Sequence, residues 1–99
     1  MIKKLSIVIP AYNEARTIHL ILDKVKAVNL ISGIEKEVVI VNDASTDDTA
    51  DKIQAYLKNN PDLNIQYYDQ PKNMGKGAAL HRGIKEAKGE YLVIQDADL

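Results

Sequence analysis

The sequence predicts an α/β fold, a parallel sheet of about four strands with helices on both faces. Three observations point there. Short apolar runs rich in β-branched residues recur along the chain, stretches of helical period separate them, and small polar clusters follow each run.

The first strand is predicted over Leu5 to Pro10, because L-S-I-V-I-P is apolar, β-branched and closed by proline. A helix follows, with Ile18, Ile21, Leu22, Val25 and Val28 on one face and Asp23, Lys24 and Lys26 on another; Asn13 stands where a cap is wanted. Val38 to Asn42 is the second strand. Ser45 and Asp48 then resemble a capping box, Ala50, Ile53 and Leu57 continue an apolar stripe, and Asn59-Asn60-Pro61-Asp62 ends that helix. Asn64 to Asp69, with Ile65, Tyr67 and Tyr68, reads as the third strand. A third helix is expected from about Lys76 to Lys88, burying Ala79, Leu80, Ile84 and Ala87. Gly83 inside it implies close packing, and Gly89 stands where a left-handed C-cap is wanted. Glu90 to Gln95 is the fourth strand. Such alternation calls for right-handed crossovers.

Ninety-nine residues, 45% of them apolar, can build one core, so one domain over residues 1–99 is expected. The net charge of −1, from 13 basic and 14 acidic residues, gives no bulk field for nucleic acid or an anionic membrane. An anionic ligand has to be held locally. The absence of cysteine excludes disulfides and thiolate metal sites and favours a reducing, cytoplasmic compartment. Met1 to Ser6 lack the features of a signal peptide, and no apolar run approaches the ~20 residues that span a bilayer.

In open α/β sheets ligands bind beyond the carboxyl ends of the strands, and the polar clusters fall there. Asp96 and Asp98 offer hard oxygen ligands to Mg²⁺ or Mn²⁺; alone an Asp-x-Asp is better explained by two solvated acids, and the other clusters on the same rim reverse that balance. Asp43 is placed to accept a hydrogen bond from a base-ring N–H, or simply to serve the turn. Asn73-Met74-Gly75-Lys76-Gly77 joins two glycines and a lysine at a helix start, where backbone amides and the dipole favour an oxyanion such as a diphosphate. Its spacing matches neither G-x-x-x-x-G-K-[ST] nor G-x-G-x-x-G. Tyr12 and Glu14 can bracket a base or ribose. His19 and His81 have no second ligand at metal spacing and receive no chemistry.

Four segments together, P-A-Y-N-E from Pro10 to Glu14, V-N-D-A-S-T-D-D-T from Val41 to Thr49, N-M-G-K-G-A-A-L from Asn73 to Leu80 and Q-D-A-D-L from Gln95 to Leu99, resemble family 2 glycosyltransferases. Within that family the chain is most similar to the dolichyl- and polyprenyl-phosphate mannose and glucose synthases. The resemblance covers nearly all 99 residues. It implies a GT-A fold, Rossmann-like and incomplete at the carboxyl end, and inverting transfer from a UDP- or GDP-sugar with Mg²⁺ or Mn²⁺. It also implies that Pro10, Tyr12, Glu14, Val41 and Asp43 line the base and ribose pocket, with Lys76 near the diphosphate. Asp96 and Ala97 would lie near ribose and sugar, and Asp98, with Asp96, at the metal. Ala44 departs from the family's usual glycine, which adds about 1 kcal/mol of strain if φ is positive there.

The resemblance places the acceptor site, which a polyprenyl phosphate would suit, and the catalytic group beyond Leu99. Any membrane contact would lie there too, on the cytoplasmic face, and the 99 residues are expected to be incompetent for transfer alone. Two alternatives stand beside the donor half of a glycosyltransferase. One is a non-catalytic folding or interaction module derived from that domain, which would self-associate through an exposed sheet edge. The other is an aspartyl-phosphate phosphotransfer domain, which the position of the Asp-x-Asp after the fourth strand disfavours.

Overall fold

The computed structural model describes residues 3–28 and 33–97. Strands and helices alternate as β1 (Lys4–Ala11), α1 (Ile18–Ala27), β2 (Glu35–Asn42), α2 (Thr49–Asn59), β3 (Ile65–Asp69), α3 (Lys76–Glu86) and β4 (Tyr91–Ile94). The strands form one sheet in the order β3-β2-β1-β4, every pairing parallel. The chain steps from β1 to β3 in one direction, then returns past β1 to place β4 on its far side. Right-handed crossovers then put α1 and α2 on one face and α3 on the other.

The two cores follow that division. Ile7, Ile9, Val38 and Ile40 pack with Ile18, Ile21, Leu22 and Val25 of α1 and Ile53 of α2. Val8, Val39 and Val41 pack on the opposite face with Ala79 of α3. Because β1 and β2 are covered on both sides, their central segments, residues 7–11 and 38–41, are continuous apolar runs with no alternation. Gly83 is where α3 touches the sheet: a Cβ there would collide with Val8 Cγ1 and lie 3.5 Å from Val41 Cγ2. Close packing at this glycine is therefore observed as expected.

Several local expectations are corrected. α1 ends at Ala27, and Val28 is extended and 45% exposed, not part of the apolar face. The Lys36 ammonium ends that helix, donating to the carbonyls of Val25 (2.6 Å), Lys26 (3.2 Å) and Val28 (2.9 Å). Ile84 of α3 is 47% exposed, because α3 lies over β1 and β2 and leaves that side open. Gly89 is not a left-handed cap. The C-cap is Ala87, in extended conformation, and Gly89 is required because a Cβ there would fall 2.5 Å from Ser6 Oγ and 2.7 Å from Ser6 N. Its amide donates to Ser6 Oγ (2.8 Å), next to the fully buried Glu37, which also accepts the Lys88 amide (3.1 Å).

All of β4 is exposed, Tyr91 to Ile94 included. The order in which strands join the sheet reverses between β1 and β4, which leaves a crevice at their carboxyl ends. Two non-glycine residues beside it have positive φ, Asn13 (52°) and Ala44 (57°). Alanine at a left-handed position is strained as expected, so Ala44→Gly should raise the unfolding free energy by about 0.5–1 kcal/mol in urea denaturation. An unchanged or lower midpoint would show that the strain is absorbed elsewhere.

Candidate functional site

All four strand ends contribute to a cleft of about 330 Å³ at one edge of the sheet. Pro10 and Ala11 close β1, and Tyr12 and Glu14 follow in the turn. Asp43 comes from the end of β2, Asn73, Gly75, Lys76 and Ala79 from the start of α3, and Asp96 and Ala97 from beyond β4. The volume is that of a small-ligand site.

The wall carrying Tyr12 and Glu14 is held by the next strand-to-helix turn. Asn13 accepts the Thr46 amide on Oδ1 (2.8 Å), and its own amide donates to Ser45 Oγ (2.9 Å). The Glu14 amide donates to Thr49 Oγ1 (2.8 Å) and the Ala15 amide to Asp47 Oδ2 (3.3 Å). Ser45 Oγ in turn donates to Asn42 Oδ1 (2.5 Å), whose amide group donates to the Tyr67 hydroxyl (2.9 Å). Burial and the hydrogen bond to Asp69 push the Tyr67 hydroxyl up to about 12, so it stays protonated and donates to Asp69.

Two capping expectations fail here for one reason: the side chains bridge two loops instead of closing their own helices. Asn13 does not cap α1, which begins at Ile18 after Thr17. The Thr17 hydroxyl lies 3.4 Å from both Glu14 Oε2 and the carbonyl of Ala97, tying the first turn to the end of β4. Ser45 and Asp48 do not form a capping box. Asp48 is the N-cap residue but makes no side-chain cap, and Asp47 before it accepts the Thr49 amide (2.9 Å) and hydroxyl (2.5 Å). Sequence reasoning missed Asp47 and the buried Thr49, although S-T-D-D-T directly after a strand carries the signal.

Asp43 is 3% exposed and accepts the amides of Met74 on Oδ1 and Gly75 on Oδ2, both at 2.9 Å. Those amides were expected to face a ligand oxyanion; in the structure their oxyanion is Asp43. Each carboxylate oxygen accepts more than one hydrogen bond, so Asp43 keeps capacity toward the cleft it lines. Gly75 sits at φ 93°, a conformation that disfavours other residues, and directs the chain into α3. Lys76 begins that helix, and its ammonium lies 2.5 Å from Asp96 Oδ1 across the cleft, both side chains about half exposed.

Of the remaining predicted residues, Val41 does not line the cleft. It is fully buried and packs beneath with Val8 and Ala79. Ala97 is buried at the cleft floor, and Asp98 lies outside the described residues. Among the described residues no three His, Cys, Asp or Glu side chains converge. Mg²⁺ and Mn²⁺ bound with a substrate diphosphate take only one or two carboxylates, and the half-exposed Asp96 fits that demand.

The Asp47 carboxyl titrates below its ordinary value of 3.8: partial burial raises it, but hydrogen bonds from Thr49 and Ala15 outweigh that. Its charged form therefore supports the fold above that value, and the support is lost as pH falls through the lower folded value. The amide resonances of Ala15 and Thr49 should move together as pH falls below the ordinary carboxyl value of 3.8. They should lose that titration in Asp47→Asn; its persistence would assign the effect to another acid.

Comparisons with known proteins agree with this geometry. The sequence model described as Glycosyl transferase family 2 matches residues 6–99. A dolichyl-phosphate beta-glucosyltransferase of Trichomonas vaginalis is 41% identical over 101 residues, covering 95% of this chain and 30% of the relative. A mannosyltransferase of Pyrobaculum calidifontis, solved with GDP-Man and Mn²⁺, superposes with a TM-score of 0.90 at 33% identity, covering 98% of this chain and 28% of that one. TarS 1–349 of S. aureus, solved with UDP-GlcNAc, gives 0.82 at 31% identity over 96% of this chain and 26% of that one. The chain thus spans less than a third of each relative.

Proposed function

The chain belongs to glycosyl transferase family 2, and we propose that its cleft binds the donor of an inverting sugar transfer, a UDP- or GDP-sugar with a divalent cation. The observation that carries this is the meeting of Asp43, Lys76 and Asp96 on one cleft. A carboxylate only accepts hydrogen bonds, so Asp43 suits a base whose ring carries an N–H. Uracil and guanine do; the corresponding edges of adenine and cytosine present a ring acceptor. The relatives solved with GDP-Man and UDP-GlcNAc support the same two bases.

Pro10, Tyr12 and Glu14 would flank base and ribose, with Val41 supporting that wall from beneath. Lys76 and the start of α3 would take the diphosphate, which the helix dipole favours. Asp96, joined by Asp98, would hold Mg²⁺ or Mn²⁺, and a cation there offsets the charge of a departing diphosphate. The small side chain of Ala97 leaves room for the sugar.

For the acceptor we favour a polyprenyl phosphate, the class to which the dolichyl phosphate of the Trichomonas vaginalis relative's name belongs. Its phosphate oxyanion would attack the anomeric carbon as the nucleoside diphosphate leaves, inverting that centre without a general base. A hydroxyl acceptor would require one.

A second reading draws on β4, which leaves Tyr91, Leu92, Val93 and Ile94 exposed at a sheet edge. Such an edge pairs readily with another strand, so the 99-residue chain would self-associate through it.

Calorimetry with UDP and GDP in Mn²⁺ tests the donor reading. One nucleotide should bind, and Asp43→Asn should weaken it about tenfold or more, the scale of a hydrogen bond to a charged group. Binding of neither would remove the proposal. Sedimentation tests the edge: association that rises with concentration should be abolished by Val93→Lys, whereas a strict monomer at every concentration contradicts the second reading.

A further inference from the structure

We infer that Lys76 is a displaceable counter-ion that occupies Asp96 when the donor site is empty, and so makes cation and diphosphate binding depend on each other. This rests on the donor reading above. The backbone below Lys76 is fixed, because Asp43 holds the amides of Met74 and Gly75 on either oxygen. The Lys76 side chain extends from that loop. It reaches across the cleft to Asp96 Oδ1 while about half exposed, and a lysine stem has four rotatable carbons.

A divalent cation approaching Asp96 meets an ammonium already on the carboxylate. The two positive groups compete for one pair of oxygens and repel each other, so cation alone binds less tightly than the carboxylate would allow. A diphosphate changes the balance. It offers the ammonium new oxygens near the start of α3, where the helix dipole already favours it, and Asp96 is released to the cation. Cation and diphosphate then each raise the affinity of the other by the same factor, as linkage requires.

A merely structural pair, stapling the start of α3 to the end of β4, would behave otherwise. Its removal would leave the affinity for a nucleoside diphosphate unchanged. The two roles therefore differ in the nucleotide response. Replacing Lys76 should tighten the bare cation by two- to fivefold, about 0.4–1 kcal/mol at 1.4 kcal/mol per tenfold, the range of an exposed ion pair. It should also weaken the nucleoside diphosphate, which loses its ammonium.

The test uses Lys76→Met and Lys76→Gln, two neutral variants at an exposed position on the first turn of α3. Free Mn²⁺ is followed by electron paramagnetic resonance, first alone and then with UDP or GDP. Tighter Mn²⁺ alone together with weaker nucleotide, in both variants, is the expected result. Unchanged or weaker Mn²⁺ alone overturns the inference while leaving the donor reading intact. No nucleotide binding to the unsubstituted chain, with Mn²⁺ alone still tightened by the variants, removes the donor reading and the linkage together and leaves only the competition at Asp96.

Discussion

The carboxylate of Asp43 accepts two backbone amides from a loop more than thirty positions further along the chain, and the cleft depends on that contact. Burying a carboxylate is tolerable only when its oxygens are hydrogen-bonded, and here each oxygen receives an amide that would otherwise be left without a partner. The contact fixes Gly75 in its positive-φ conformation, which aims α3 along the sheet. It thereby sets where Lys76 stands, and it brings Gly83 down onto Val8 at the far end of the same helix. The Asp43 amide meanwhile donates to the carbonyl of Ala11 (2.8 Å), so one residue joins β1, β2 and the start of α3.

Little of the rim is held by apolar burial. Asn13, Ser45, Asp47 and Thr49 connect the first two turns through side chain-to-backbone hydrogen bonds, each worth about 1 kcal/mol net. Tyr12 and Glu14 are therefore presented on a wall shaped before any ligand arrives, which lowers the ordering cost of binding. Asp96 is held more lightly, through its ion pair and through the Thr17 contact to the Ala97 carbonyl. The rigid side of the cleft would receive the base, and the adjustable side would receive the charged groups.

The sheet was legible because β1 and β2 are buried on both faces and so write unbroken β-branched runs into the sequence. Parallel pairing followed from the alternation with helices, and the common rim followed from parallel pairing. Pro10, Tyr12, Glu14, Asp43, Lys76, Asp96 and Ala97 all reach the cleft on that logic. Val41 does not, since it lies inside β2, two positions before Asp43, where its side chain is covered by α3 and packs with Val8 and Ala79. Helical period carried the apolar face on to Val28, one residue past the end of α1, and showed where Ile84 lies on α3 without showing whether any element covers it. Asn13 and Ser45 have the chemistry of helix caps, and only the approach of two loops turns them to one another. Gly89 was readable as a special position, but its reason, the Ser6 backbone lying against it, is a contact between distant parts of the chain.

Sharing of one carboxyl-edge cleft by base, diphosphate and cation is the central claim, and amide shift mapping with UDP or GDP and Mg²⁺ tests it most directly. The cleft predicts perturbations concentrated at Tyr12 to Glu14, Asp43, Asn73 to Gly77 and Asp96 to Ala97, with the amino edge around Ser6, Glu37 and Gly89 silent. Perturbations centred on that opposite edge, or confined to a single one of the four turns, would contradict it.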